Sequence, residues 1–207
     1  MLREDDELIG VELTDASCEL MLATRMGQAI RFSESDIRAM GRNSMGVKSM
    51  ELAEGDEVIS VARITEGAQV LAITQKGYGK RTEIDEFRSQ SRGGKGILAM
   101  RLTDKTGPMA AQLLVHEDED LMLITDDGTI IRLPVSDISV IGRVSQGVRV
   151  MRVEGESRIV GVTATEREDD AEEDEVTEEA VSGDNALDGA VSTDEAPVPA
   201  ESEDTEV

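Results

Sequence analysis

Short runs of alternating apolar and polar residues fill the first 166 positions, and one pattern returns every 50 to 51 residues. The copies span residues 22–31, 72–81 and 123–132, and each reads as an apolar run, a glycine and a second run that ends in arginine. A threonine, the glycine and the arginine keep their register in all three copies. Because glycine supplies the positive φ that a tight turn requires, each copy predicts a β-hairpin.

A short acidic bend follows each hairpin, at residues 35–37, 85–87 and 136–138. Acids at such positions are typical of turns, where their side chains cap nearby amides, and we favour that interpretation over a metal site. A glycine-rich loop comes next in each copy. It keeps an arginine and, four residues later, a glycine that opens a strand: Arg42 and Gly46, Arg92 and Gly96, and Arg143 and Gly147.

The middle loop, Gln90 to Gly96, is a candidate phosphate-binding loop. Ser91 and three glycines expose its backbone, and Arg92 and Lys95 supply positive charge. Its spacing matches neither G-x-G-x-x-G nor G-x-x-x-x-G-K-[ST], which argues against a nucleotide pocket. The alternative is a glycine-rich connection between strands whose cations serve solubility.

Repeats of about 40 to 50 residues built from short strands predict an all-β fold of propeller-like blades. We place the repeats at residues 7–56, 57–107 and 108–166, within a β domain over residues 1–166, and expect about three four-stranded blades. Residues 6–11, 57–61 and 158–163 resemble one another, so the chain starts and stops near the same point of the repeat. Since propellers close with about four to eight blades, we expect an incomplete ring. No segment shows a sustained helical period.

The charge distribution is uneven: 45 Asp and Glu stand against 21 Lys and Arg. Residues 168–207 carry 17 acids and no base, which leaves residues 1–167 with a net charge of −7. This composition predicts a disordered acidic tail over residues 167–207. No run of 18 apolar residues and no signal peptide is present, so a cytoplasmic protein without membrane contact is expected.

The chain offers few groups for catalysis or metal binding. One histidine, His116, and one cysteine, Cys18, cannot form a zinc site, a disulfide framework or a nucleophilic triad. We therefore expect no cofactor, no metal and no catalytic residue. With one tyrosine, two phenylalanines and no tryptophan, stacking of unpaired bases is also disfavoured.

Several ordered motifs resemble the C-terminal domain of the A subunit of bacterial DNA gyrase. They are Arg31 to Asp36, Gly77 to Thr82, Gln90 to Gly96, Pro134 to Ile138, Gly142-Arg143 and Gly147 to Arg149, and the resemblance covers about residues 3 to 166. It implies a six-bladed β-pinwheel whose positive rim wraps duplex DNA, so that gyrase can introduce negative supercoils.

The chain departs from the family in two respects. The family's signature box, Q-[RK]-R-G-G-[RK]-G, lies in its first blade, whereas Ser91 holds the second position here and the loop lies in a middle repeat. The chain therefore resembles the last three blades. Tyr78 lies in a Gly-Tyr-Gly turn and does not resemble the DNA-cleaving tyrosine, and the family's ATP site belongs to the other subunit. The parent family is an ATP-hydrolysing topoisomerase, so enzymatic activity of this chain itself stays open.

Local charge is consistent with DNA binding. Residues 76–101 carry seven bases and three acids, and such asymmetry can steer a polyanion. Arg92 and Lys95 offer charge-assisted donors to phosphate oxygens, and the loop glycines let backbone amides approach closely. The candidate DNA-binding residues are Gln90, Arg92, Gly93, Gly94, Lys95, Gly96, Lys80, Arg81, Arg42, Lys48, Arg143 and Arg149.

The favoured function is a duplex-DNA-binding module of a type IIA topoisomerase that contacts phosphates without sequence preference. The alternatives are the corresponding domain of topoisomerase IV and a β-repeat interaction module that does not bind DNA. The resemblance implies two kinds of partner, the remaining gyrase A domains and the B subunit, with a nucleoid-associated location. Unpaired strands at the open blade edges predict self-association.

Overall fold

Short antiparallel strands make up nearly all the regular structure of residues 2, 4 and 6–167, which the computed structural model describes. In chain order these residues form β1 (Glu19–Thr24), β2 (Gln28–Ser33), β3 (Val58–Arg63), β4 (Gln69–Thr74), β5 (Tyr78–Glu83), β6 (Ile97–Leu98), β7 (Met109–Val115), β8 (Glu119–Thr125), β9 (Ile130–Pro134), β10 (Val148–Arg149) and β11 (Ile159–Glu166). The acidic tail lies outside the described residues.

The three predicted hairpins are confirmed as β1–β2, β4–β5 and β8–β9. Their turn glycines, Gly27, Gly77 and Gly128, have φ between 79° and 88°. The repeated threonine lies at the same turns, where Thr24, Thr74 and Thr125 are buried. In the middle hairpin, the Thr74 hydroxyl accepts from the backbone amide of Tyr78 at 3.2 Å. Buried hydroxyls that bond across the turn hold each hairpin closed.

Each predicted acidic bend is a single 3₁₀ turn: Glu34–Asp36, Ile84–Glu86 and Val135–Asp137. The apolar residue that follows the second and third turns is fully buried, as Phe87 and Ile138. Turn chemistry, together with one apolar anchor, accounts for the repeated sequence at these positions.

The strands form sheets that cross the boundaries of the sequence repeats. The first sheet has the order β3-β1-β2-β6 and the second β10-β5-β4-β7. Both take their hairpin from one repeat and their outermost strands from the next. The third sheet, β11-β8-β9, has three strands within the described residues, because none pairs with β9 as β6 pairs with β2. Two of the three expected blades are thus four-stranded.

Apolar side chains pack between neighbouring sheets. Met21 of the first sheet packs in one cluster with Val70 of the second, and Leu71 of the second sheet packs with Leu121 and Leu123 of the third. β1 and β4 each bury five of their six residues, and because both faces of these strands are covered, they read as nearly continuous apolar runs.

Candidate nucleic-acid interface

The three glycine-rich loops lie side by side, although about 50 residues separate them in sequence. The amide of Gly93 donates to Ser49 O at 2.6 Å, and the amide of Glu51 donates to Gly94 O at 2.8 Å. The amide of Arg101 then donates to Ser145 O at 3.0 Å. Residues 41–51, 91–101 and 142–152 therefore form one hydrogen-bonded surface, which we call the loop band.

Buried methionines and close glycine contacts fix the band to the sheets. Met50, Met100 and Met151 end the three loops at equivalent positions, and each is at most 6% exposed. A Cβ atom on Gly96 would lie 2.5 Å from Ala29 O of β2. Only glycine allows that approach, which lets the loop continue into β6.

The band concentrates positive charge. Its 33 residues carry eight Lys and Arg and one acid, Glu51, whereas the rest of residues 1–167 carries 13 bases and 27 acids. A cationic surface on an otherwise acidic body attracts a polyanion locally and repels it elsewhere, so the field also sets the orientation of binding.

Arg92 and Arg143 hold neighbouring loops together. Arg92 donates through Nε to Asp36 O at 2.8 Å and through Nη1 to Lys48 O at 3.0 Å. Arg143 makes the equivalent contacts with Glu86 O at 3.1 Å and Leu98 O at 2.5 Å. The sequence identified both as phosphate donors, but much of their donor capacity is used within the protein. Both are half-buried, and we assign them to positioning the band.

Lys80 and Arg81 require a correction to the sequence-based assignment, because they are 0% and 4% exposed. Lys80 Nζ donates to the carbonyl oxygens of Gly142, at 2.9 Å, and of Arg143. Burial lowers the pKa of Lys80 to about 8. Arg81 donates to Ile138 O at 2.7 Å and to Ser136 O at 3.2 Å. Neither side chain can reach a phosphate, and both instead support the third loop and the third 3₁₀ turn.

The repeated hairpin arginine has the same role in the first copy. Arg31 donates to the carbonyls of Ile84 and Phe87 at 3.2 Å each, and its guanidinium pairs with Glu19. In the first two copies, the hairpin arginine thus reaches across more than 50 residues of sequence to bind the carbonyls of the next turn. Arginine suits this task because its fork of donors can bind two carbonyls at once.

Seven exposed cations have no side-chain partner within the described residues: Arg38, Arg42, Lys48, Arg88, Lys95, Arg101 and Arg152. Sequence reasoning selected Arg42, Lys48 and Lys95 as DNA-binding residues and did not select the other four, of which Arg88 and Arg101 were counted only among the bases of residues 76–101. A signal for two of them was present, since Arg101 and Arg152 follow the equivalent buried residues Met100 and Met151. Their fully available ammonium and guanidinium groups make them the strongest candidates for phosphate contact.

Arg149 is tied to the only tyrosine. Its Nη2 atom donates to the Tyr78 hydroxyl at 2.9 Å, and its guanidinium lies 5.5 Å from the centre of the ring. Lys105 Nζ lies 5.4 Å from the same ring. The hydrogen bond from Arg149 and the nearby positive charges lower the pKa of Tyr78. Arg149 is exposed, so it keeps donors for an anion while the ring fixes its position.

The remaining loop residues act mainly through the backbone. Gln90 is half-buried, and its backbone N–H donates to Arg31 O at 2.9 Å. Gly93 has a φ of 85° and already uses its amide on Ser49. Gly94 accepts through its carbonyl from Glu51. Within the loop of Gln90 to Gly96, Lys95 is the residue whose charged group faces solvent without a side-chain partner among the described residues.

Two other features bear on the range of functions. Asp15, Cys18 and Glu34 bring ligand-type atoms within 4.8 Å of one another. A hydrogen bond from Cys18 Sγ to Glu34 Oε2 at 3.1 Å and burial that raises the pKa of the Cys18 thiol account for this group without a metal. Over the described residues, no helix has the length and apolar character needed to span a membrane.

Comparison with known sequences identifies a family model and several proteins that are similar to this chain. A family model described as the DNA gyrase C-terminal domain, beta-propeller, matches residues 19–65, 68–107 and 119–166. The A subunit of DNA gyrase from Halalkalibacterium halodurans is 60% identical over 179 residues, which is 86% of this chain and 22% of that protein. The Escherichia coli K12 protein of the same name is 38% identical over 197 residues, or 95% of this chain and 22% of that protein.

Two solved structures are also similar to this chain. The C-terminal domain of DNA topoisomerase IV superimposes with a TM-score of 0.76 at 31% identity, over 80% of this chain and 52% of that one. A DNA gyrase A C-terminal domain superimposes with a TM-score of 0.68 at 25% identity, over 72% of this chain and 50% of that one. The chain spans about a fifth of the length of the curated relatives it matches.

Proposed function

Because this chain belongs to the DNA gyrase C-terminal domain family, we propose that its loop band binds duplex DNA as part of the gyrase A protein and so contributes to DNA supercoiling. The observation that carries the proposal is the joining of three cationic loops into one surface by backbone hydrogen bonds. A continuous row of cations suits the regular phosphate spacing of a duplex better than isolated charges do.

The chemistry of the band favours phosphate contact over base recognition. Tyr78, Phe32 and Phe87 are all buried, so these rings cannot stack on bases. The exposed groups are guanidinium and ammonium ions, which bind phosphate oxygens of any sequence. Binding is therefore independent of sequence and weakens as salt rises.

The direct test compares two triple variants that lose the same charge. The first, Lys48→Gln, Lys95→Gln and Arg101→Gln, removes three exposed cations of the band. The control, Arg25→Gln, Arg63→Gln and Arg158→Gln, removes three cations outside the band that pair with Glu57, Asp15 and Asp126. Loss of an exposed ion pair costs only about 0 to 1 kcal/mol, so both variants should stay folded.

Titration of a labelled duplex at several salt concentrations gives the slope of log K against log salt. Each phosphate contact contributes about −0.9 to that slope, so the band variant should flatten it by roughly two to three units. The control should leave the slope close to wild type. Equal effects of the two variants would show that net charge, and not the band, governs binding, and would refute the proposal.

The corresponding domain of topoisomerase IV is the second candidate, because a solved structure of it has a TM-score of 0.76. The higher sequence identity to the gyrase A protein, 60%, supports gyrase over topoisomerase IV. We extend the proposal to two kinds of partner, the remaining gyrase A domains and the B subunit. We also extend it to a cytoplasmic, nucleoid-associated location and to self-association through open blade edges.

A further inference from the structure

A small cavity beside the turn of the second hairpin is lined mainly by cations. Its volume is about 290 Å³, and it lies between that turn, the turn of residues 103–107 and the chain that follows β10. The charged and phenolic side chains that line it are Lys76, Tyr78, Lys105, Arg149, Arg152 and Glu156. Four cations and one acid therefore share one small space.

Backbone hydrogen bonds hold the walls of this cavity together. The amide of Val150 donates to Gly77 O at 2.9 Å, which fixes the hairpin turn against the chain that follows β10. The amide of Lys76 donates to Thr106 O at 3.3 Å, which fixes the same hairpin turn against the turn of residues 103–107. A site whose walls are already in place loses little conformational freedom when a ligand binds.

Tyr78 positions two of the cations. Its hydroxyl accepts from Arg149 Nη2 at 2.9 Å, and the Arg149 guanidinium and Lys105 Nζ lie 5.5 and 5.4 Å from the centre of the ring. Tyr78 is buried, so its ring has no free face for a base. The cavity therefore suits an anion that is bound by charge and hydrogen bonds alone.

No carboxylate forms an ion pair with these four cations in the part of the chain that the structure describes. Arg152 is exposed and has no partner there, and Lys76 Nζ donates to the backbone carbonyl of Asp104. Like charges that are held close together repel one another, and an anion that enters the cavity replaces this repulsion by attraction.

The equivalent place in the first sheet has different chemistry. Tyr78 pairs with Arg149 in the second sheet, whereas Gln28 pairs with Leu98 in the first. The counterparts of residues 76 and 152 are Met26 and Arg101. The cluster of cations is therefore a feature of one sheet and is not a consequence of the repeated fold.

Size and charge indicate which anion fits. The volume is slightly below the roughly 300–1,000 Å³ of pockets for drug-sized ligands, so the cavity fits a small anion better than a whole nucleotide. A terminal phosphate carries about −1.5 to −2 charges at neutral pH, more than the single charge of a DNA phosphodiester. A diphosphate group therefore matches the excess of positive charge better than one DNA phosphate does.

We propose that this cavity binds a diphosphate group, with Lys105 and Arg152 as donors to its oxygens and with Arg149 held for the same contact by Tyr78. A guanidinium binds phosphate oxygens through two donors at once, and an ammonium group binds them as a point charge. The group comes from inorganic diphosphate or from a nucleoside diphosphate whose base and sugar stay outside the cavity. The site lies at one end of the loop band, and the inference does not depend on duplex binding.

The chain carries its own probe of this site, because Tyr78 is the only tyrosine and there is no tryptophan. Titration of the 207-residue chain with inorganic diphosphate, without divalent metal ions, should change the fluorescence of Tyr78 in a saturable way. The bound anion should also raise the lowered pKa of Tyr78 toward its ordinary value of 10.0, because it competes for the Arg149 guanidinium and adds negative charge. Sodium chloride at equal ionic strength is the control for screening.

Two variants that lose the same charge test the location of the site. Arg152→Gln should weaken diphosphate binding at least about tenfold, because it removes a charge-assisted donor. Arg101→Gln removes an exposed guanidinium at the equivalent position of the preceding repeat, which does not line the cavity, and should change the affinity less than about twofold. Arg152→Lys should keep part of the affinity. Circular dichroism of each variant checks that it is folded.

A parallel titration with a nucleoside diphosphate distinguishes the two sources. Equal affinity for both ligands assigns recognition to the diphosphate group, and tighter binding of inorganic diphosphate identifies the free anion as the ligand. Four outcomes would overturn the inference: no saturable response to diphosphate up to about 1 mM, the same response to chloride, equal losses in Arg152→Gln and Arg101→Gln, and a response to duplex DNA without one to diphosphate.

Discussion

Lys80 Nζ lies 2.9 Å from the carbonyl oxygen of Gly142 and also donates to the carbonyl of Arg143. A hairpin side chain that is 0% exposed therefore holds the third loop of the band by its backbone. The equivalent hairpin positions are Ile30 and Ile131, so this lysine serves one loop only. A charged group under a cationic loop links the position of that loop to the protonation state of one amine.

The free energy of unfolding should rise between pH 8 and pH 10, because the buried amine of Lys80 titrates at a lower pH in the folded chain than in the unfolded chain. Its pKa is about 8 in the folded chain and 10.5 when exposed, so over this interval the unfolded chain binds more protons. Unfolding free energy therefore increases with pH, by about 2 kcal/mol, and the gain is lost as pH falls through 8. Urea denaturation at pH 7.5 and pH 10 measures the change.

Lys80→Met should abolish most of that pH dependence, since it has no titrating amine at this position. All other titrating groups are shared with wild type, so the difference between the two profiles isolates Lys80. An identical rise with pH in Lys80→Met would show that the buried amine does not control it.

Gly96→Ala should destabilise the fold more than Gly46→Ala. Both glycines have positive φ, 74° and 81°, so both substitutions strain the backbone by about 1 to 2 kcal/mol. The Gly96 Cβ would also lie 2.5 Å from Ala29 O, whereas that of Gly46 meets nothing within 4 Å. We expect a further loss of about 1 to 3 kcal/mol for Gly96→Ala, measured by thermal unfolding. Equal losses would contradict the close approach of the loop to β2.

Arg92→Gln and Lys95→Gln remove the same charge but should differ in stability. Lys95→Gln should weaken duplex binding and leave the melting temperature unchanged, because its ammonium group has no partner within the described residues. Arg92→Gln should weaken binding and also lower stability by about 1 to 3 kcal/mol, since Asp36 O and Lys48 O lose their donor. If Arg92→Gln had the melting temperature of wild type, the role of Arg92 in positioning the loop band would be refuted.

Deleting residues 168–207 should raise duplex affinity several-fold at low salt. The segment carries 17 acids and no base, and a tethered polyanion competes with DNA for the same cations. Screening should shrink the difference as salt rises, since the Debye length falls to about 8 Å in physiological salt. Equal binding of both chains near ~50 mM salt, below the physiological ionic strength, would show that the segment serves another purpose.

The sequence by itself determined the hairpins, their turn glycines and the three-fold repeat, because these features depend on neighbours within about ten residues. Gly27, Gly77 and Gly128 could be assigned to turns from the positive φ that such turns require. The sequence also located the loop of Gln90 to Gly96 and its relatives, since they keep the same spacing. The motifs shared with the gyrase A protein were sufficient to indicate the family.

Only the tertiary structure decided which cations are available. Lys80 and Lys95 are equally basic in sequence, yet one is buried beneath Gly142 and the other is exposed. Likewise, Arg92 donates to the backbone carbonyl of Asp36, which lies 56 residues earlier in the sequence. The pairing of β6 with β2 joins one repeat to the hairpin of another, so sheet boundaries and repeat boundaries differ. Burial and long-range hydrogen bonds depend on how the three sheets pack, and no local pattern of residue types encodes that arrangement.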